Sequence, residues 1–189
     1  ALPVWTFALG GALVEKRAWM AYGENTTYIT YRVLRGGGAV DLEITPLVTY
    51  RDFHALTSGR DWHPQIEIAP HGAMIYAFER ARPFWLLADR GSFMPNGVWY
   101  WDFQHREERA RGLDDRSDLY AAGAFTFSLR PGECFTLVLT TEATANLDSA
   151  RALEAAQERQ HELLRRAKAE EADPVVQQLV LAADQFIVN

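Results

Sequence analysis

The sequence predicts a mainly β protein: an antiparallel β-sandwich followed by C-terminal linker helices. Three observations carry that expectation. Up to about residue 145 the chain is a series of short β-rich runs separated by turn residues. In one of them, Val40 to Ile44, apolar and polar residues alternate, as in a strand that turns one face to a core. After Glu142 the composition shifts to an Ala, Leu, Glu and Arg pattern with helical spacing.

Each element follows from local chemistry. Thr26 to Leu34 (TTYITYRVL) is rich in β-branched and aromatic residues and reads as a strand. The glycines at 36 to 38 then turn the chain, and Val40, Leu42 and Ile44 alternate with Asp41 and Glu43 in a half-buried strand. Gln65 to Ala69, Ala73 to Glu79, Phe84 to Ala88 and Val98 to Phe103 are further strands, with turn-rich stretches at 69–72 and 80–83. Phe125 to Leu129 and Cys134 to Thr140 read as a hairpin through Arg130-Pro131-Gly132-Glu133. Pro and Gly there fill the two central positions of a type II turn. Beyond residue 145, Asn146 is the expected cap of a helix whose stripe includes Leu147, Ala150, Leu153, Ala156, Leu163, Leu164 and Ala167. Asp173-Pro174 reads as cap and first position of a second helix, with Val176, Leu179, Val180, Ala183 and Ile187 on its apolar face.

Composition narrows the function. A hydrophobic share of 48% can fill a real core, which excludes a disordered chain. No apolar run approaches the roughly 20 residues of a membrane helix. A net charge of −6 argues against nucleic acid as a partner, since phosphate binding needs a basic face. Cys134 has no second cysteine to pair with, so the reading is a buried thiol in a cytoplasmic protein. The five histidines at 54, 63, 71, 105 and 161 lack metal-ligand spacing, and no phosphate loop precedes a helix; the expectation is no metal and no cofactor.

Two polar-aromatic segments are the candidate sites. One contains Arg51, Asp52 and His54, where an arginine and a carboxylate are suited to the hydroxyls of a ligand or to each other. The other, Val98 to Phe125, sets Trp99, Tyr100 and Trp101 beside Glu107, Glu108, Arg109, Arg111, Asp114, Asp115 and Asp118. Aromatic faces stack on sugar rings, and paired carboxylates are the working parts of glycoside hydrolases. The same composition also describes a solvated, salt-bridged corner.

Four segments together resemble a known family: VEKRAWMAYGENTTYITYRV (Val14 to Val33), PLVTYRDFHALT (Pro46 to Thr57), WYWDFQHREERARGLDDRSDLYAAGAF (Trp99 to Phe125) and LAADQFIV (Leu181 to Val188). The chain is similar to the N-terminal domain of bacterial and archaeal-type glycogen debranching enzymes. The resemblance implies a β-sandwich at 1–145, a linker helix at 146–173, and at 174–189 the start of the first helix of an (α/α)-barrel of amylo-α-1,6-glucosidase type. It places the catalytic carboxylates in that barrel, so no catalytic residue is expected in this chain. It also implies that the domain packs on the barrel and helps bind α-glucan, a role that would fall on Arg51, Asp52, His54, Trp99, Tyr100, Glu107, Arg111, Asp114 and Asp118. One departure is Ser117, where the family pattern has an acid before Asp-Leu. The family's first strands are expected to be missing, which would leave a sheet edge open. A free-standing α-glucan-binding module and a purely structural domain stay open as alternatives.

Overall fold

The computed structural model describes residues 2–52, 55–142 and 144–187. Eleven strands form two antiparallel sheets, and three α-helices and one 3₁₀ turn complete the described residues. The larger sheet has seven strands. Its order is β1 (Val4–Leu9), β2 (Ala12–Met20), β3 (Thr26–Arg35), β11 (Cys134–Thr140), β8 (Phe84–Ala88), β7 (Gly72–Tyr76) and β6 (Gln65–Ala69). The smaller sheet is built on β10 (Arg116–Leu129). The short strands β4 (Val40–Ile44) and β5 (Leu47–Val48) pair with it in succession, and β9 (Ser92–Gln104) pairs along much of its length.

The core lies between the sheets. Val14, Val33, Ile75, Leu86, Phe135 and Leu137 come from the large sheet; Tyr120, Phe125, Phe127 and Leu129 come from the small one. Their alternation along each strand is the period of two that lets a strand bury one face. The rings of Phe127 and Phe135 stack across the gap at 3.6 Å between centroids, 4° from parallel.

That stack corrects the expected hairpin. The 130–133 turn forms as its residues dictate: Glu133 N–H donates to the Arg130 carbonyl at 3.0 Å, and Gly132 has φ +90°. The strands on either side nevertheless go to different sheets, β10 pairing with β4 and β9 and β11 with β3 and β8. The turn is a sandwich corner. Glycine at 132 fixes its conformation, but the burial of Phe125, Phe127 and Phe135 decides the pairing.

The first helix of the C-terminal pair, α2 (Ser149–Arg166), is capped by Asp148, whose carboxylate accepts the Arg151 N–H at 3.1 Å. The expected cap, Asn146, acts one turn earlier: its side chain accepts the Asp148 N–H at 2.9 Å. The helix lies on the outer face of the large sheet, with Ala152, Leu153 and Ala156 against Trp19, Tyr28 and Val138. Tyr28 donates to the Asn146 carbonyl at 2.8 Å, and the Thr136 and Ser149 hydroxyls meet at 2.7 Å. The next helix, α3 (Pro174–Asp184), is capped by Asp173 as expected, its side chain accepting the Val175 N–H. Arg159 ties the two helices together. Its Nη2 donates to both oxygens of Asp184, at 2.7 and 2.9 Å, and its guanidinium covers the Tyr22 ring at 3.3 Å. The helix closes at Asp184, and Gln185 to Ile187 continue in three-residue hydrogen bonds. Val175, Val176 and Leu179 on α3, with Phe186 and Ile187 beyond it, remain exposed.

Candidate functional site

The site is the stem and tip of the β9–β10 hairpin together with the segment that runs beside it. The tip is a short helix, α1 (Arg106–Ala110). Two bulges interrupt the ladder: Trp101 and Asp102 oppose Asp118, and Asn96 and Gly97 oppose Ala122. In each bulge the second residue is left-handed, Gly97 at φ +61° and Asp102 at φ +58°. Glycine adopts that conformation freely, whereas an aspartate needs local support. Asp118 supplies it by accepting the Asp102 N–H through Oδ1 at 2.9 Å.

Asp118 also binds the other side. Its Oδ2 accepts the Gly59 N–H at 2.9 Å, and its own N–H donates to the Thr57 carbonyl at 2.9 Å. The Thr57 N–H in turn donates to Ser117 Oγ at 3.2 Å. Residues 57–59 are thereby zipped to β10, and the 3₁₀ turn Gly59–Asp61 is drawn over Trp99. A Cβ at position 59 would lie 2.7 Å from the Trp99 ring, so only glycine fits against the indole here. The two backbone bonds, from Asp102 first and Gly59 second, hold the Asp118 carboxyl below the usual carboxylate range. Asp115 is lowered as well, mainly by the Gln104 amide, which donates to it at 2.8 Å. A general acid needs the opposite shift, so these two carboxylates are not tuned for protonating a leaving group.

A chain of rings runs from the core to the surface. Tyr50 meets Trp62 and Phe78 edge-on, Trp62 meets Trp99 edge-on at 5.4 Å, and Trp101 stacks on Trp99 at 5.4 Å and 26°. Trp99 is half-buried in this chain. Trp101 is 58% exposed, with Tyr100 and Phe103 exposed on either side of it. Next to them Arg116 donates to Asp102 Oδ2 at 2.7 Å, both side chains in solvent. An exposed indole braced from behind, flanked by a planar charge pair, is suited to the faces and hydroxyls of a sugar.

The sequence candidates divide accordingly. Trp99 and Asp118 belong to the supporting framework, and Tyr100 lies on the exposed strand. Glu107 and Asp114 are exposed at the tip, where Arg111 closes α1 by donating its N–H to the carbonyls of Glu107 and Glu108. Arg51 and Asp52 are exposed in the segment after β5, the Arg51 guanidinium donating to the Asp52 carbonyl at 3.0 Å. His54 lies outside the described residues. Trp101 is the addition, outside the nine residues the resemblance implicated. Trp101 stacks on Trp99 yet stays 58% exposed, next to the bulge at which Asp102 is left-handed. Ser117, the departure from the family pattern, is buried and serves the Thr57 amide.

Among the described residues no group of three or more His, Cys, Asp and Glu side chains is placed to hold a metal ion. Burial pushes the Cys134 thiol up, away from a reactive thiolate. No helix among the described residues is long and apolar enough to cross a membrane.

Fold and surface define the class first: an antiparallel β-sandwich domain with a helical pair whose first helix docks on its large sheet and an aromatic strand displayed on its small one. A family model described as glycogen debranching enzyme N terminal matches residues 1–136. The chain therefore belongs to the family of glycogen debranching enzyme N-terminal domains. No curated protein matches it.

Proposed function

We propose that this chain is the non-catalytic N-terminal domain of a cytoplasmic glycoside hydrolase, an amylo-α-1,6-glucosidase, and that it presents α-glucan to a catalytic (α/α)-barrel in the same protein. The observation that carries the reading is the exposed run Tyr100, Trp101 and Phe103 beside the Asp102–Arg116 pair. Family membership supplies the substrate class. In this scheme Trp101 takes the apolar face of a glucose ring, and the charge pair exchanges hydrogen bonds with its hydroxyls. Hydrolysis of the α-1,6 branch then falls to a carboxylic acid and a second group in the barrel. The apolar side chains Val175, Leu179 and Phe186 on and after α3 favour the barrel-packing half of the reading, since a set spaced in this way suits a helical neighbour.

Titration of the chain with maltooligosaccharides, read by tryptophan emission, tests it. Saturable binding is expected, with Trp101→Ala weakening it by about tenfold, the value of one aromatic stack of ~1.4 kcal/mol. Trp101→Ala binding as well as the parent would remove Trp101 from the surface. No response up to millimolar sugar would leave a purely structural domain.

A further inference from the structure

We propose that Asn96 is a self-modifying position, where attack by the Gly97 backbone nitrogen turns the asparagine into isoaspartate with loss of ammonia. Of Asn25, Asn96 and Asn146, only Asn96 precedes a glycine. The reaction is a ring closure within the chain. The backbone nitrogen of Gly97 bonds to the Asn96 side-chain Cγ, the Cγ–Nδ2 bond breaks, and the backbone amide proton leaves with the ammonia. Water then opens the five-membered succinimide. Addition at the side-chain carbonyl gives aspartate. Addition at the backbone carbonyl breaks its bond to the Gly97 nitrogen, so the chain runs on through Cβ and Cγ and an α-carboxylate is freed. Water is the one co-reactant, and nothing is oxidised or reduced.

The fold leaves each requirement of this chemistry in place. The attacking nitrogen must swing toward Cγ, and glycine puts no side chain in the way. The backbone must also leave its extended geometry, which a regular ladder prevents. Here the ladder is broken: Pro95 pairs with Gly123 and Val98 with Ala121, so Asn96 and Gly97 share the single residue Ala122. Pro95 has no N–H with which to anchor that end. Among the described residues β9 pairs with β10 alone, so no second strand clamps its other edge. Asn96 and Gly97 are both exposed, so water reaches the ring and ammonia departs. The other two asparagines differ. Thr26, which follows Asn25, is buried and set in the β3–β11 ladder, and the Asn146 side chain is engaged by the Asp148 N–H at 2.9 Å.

The product acts on the strand that follows it. Isoaspartate adds a methylene to the chain and a negative charge to the surface directly before Val98. There is little slack toward β10, since a Cβ on Gly97 would lie 3.2 Å from the Tyr120 hydroxyl. Tyr120 is itself buried, with its ring 5.1 Å from that of Trp99. The added length therefore displaces Val98 and Trp99 against Tyr120. This consequence is independent of what the exposed aromatic strand binds.

Ageing of the full chain in mildly alkaline buffer, followed by tryptic mapping, tests the proposal. Cleavage after Arg90 and Arg106 isolates residues 91–106, in which Asn96 is the one asparagine. That peptide is expected to exchange NH₂ for OH, to take one oxygen from ¹⁸O-labelled water, and to hold more isoaspartate than aspartate, told apart by their backbone fragment ions. Conversion should rise about tenfold per pH unit, because the reactive species is a deprotonated amide. The folded chain should convert Asn96 within about tenfold of the rate in urea, while Asn25 and Asn146 lag behind. Asn96→Gln, which would need a six-membered ring, stays unconverted. In the isoaspartyl chain the amide signals of Val98 and Trp99 move. An Asn96 that converts only when the chain is unfolded overturns the proposal. So does an isoaspartyl chain whose Val98 and Trp99 signals match those of the parent.

Discussion

Replacing Phe135 with alanine lowers the stability of the sandwich by about 3–5 kcal/mol, the range for removing a fully buried phenylalanine. Phe135 has no exposed surface and sits where the two sheets meet. Its ring stacks on Phe127 and touches Phe125 and Tyr31 at 6.2 and 6.3 Å, so the alanine variant loses contacts to both sheets at once. The surrounding strands are held by their own ladders and collapse only partly into the space, which adds a cavity term to the lost transfer energy. For a chain of this size the midpoint of thermal unfolding falls by about 10 °C. Phe135→Leu, which keeps most of the volume, costs less than half as much. Equal losses for the two variants would contradict a packed inter-sheet stack.

The second large effect falls on Asp118→Asn. One carboxylate serves two backbone donors, from Asp102 and Gly59. Asparagine keeps one acceptor and turns an NH₂ group toward the other amide, so a bond is lost and two donors face each other. The expected cost is about 2 kcal/mol at neutral pH, in line with hydrogen bonds to a charged group. The pH dependence follows from the direction of the shift. The folded-state pKa of Asp118 lies below its unfolded value, which is about 3.9. Its contribution is therefore complete above that unfolded value and is lost as pH falls through the folded one. Urea midpoints of parent and variant should differ most near pH 6 and begin to converge as pH falls below about 3.9. A gap that stays constant across that range would show that the carboxylate charge is not the source. The same variant should shift the emission of Trp99 to the red, because Gly59 is no longer held over the indole.

The chemistry of single elements was legible in the sequence, and partners across the molecule were not. β4 and β6 alternate between apolar and polar residues, β3 is rich in β-branched and aromatic residues and β8 is a short apolar run, and glycine or proline lies close to each, so their positions can be read directly. The strand of β10 from Arg116 to Ala124 is hidden, because its alanines and Gly123 have low strand propensity and it looks like the tail of a charged loop. β1 and β2 also escape a local reading. Trp19 faces α2 and Val14 the sandwich core, so both sides of β2 carry apolar residues and the contrast between faces is weak. The 130–133 turn was read with the right conformation and the wrong consequence, because turn chemistry specifies four residues and sheet membership is set by burial far along the chain.

The site divides in the same way. Its aromatic and acidic composition and its place in the chain are plain in the residues 98–125. That Trp99 is the supporting indole depends on a contact from 40 residues earlier in the chain, Gly59 against its ring, while Trp101 stacked on it stays exposed. Asp118, one of the acids the resemblance implicates, staples Asp102 and Gly59 together through one carboxylate, which no local reading of the residues shows.

The most direct test of this account is a map of amide chemical shifts on the ¹⁵N-labelled chain during addition of maltotetraose. Shifts confined to residues 100–104 and 115–117, with the Trp101 indole N–H moving further than that of Trp99, are the predicted result. Shifts centred elsewhere on the sandwich, or none at saturating sugar, would contradict a glucan-contacting role for the β9–β10 hairpin.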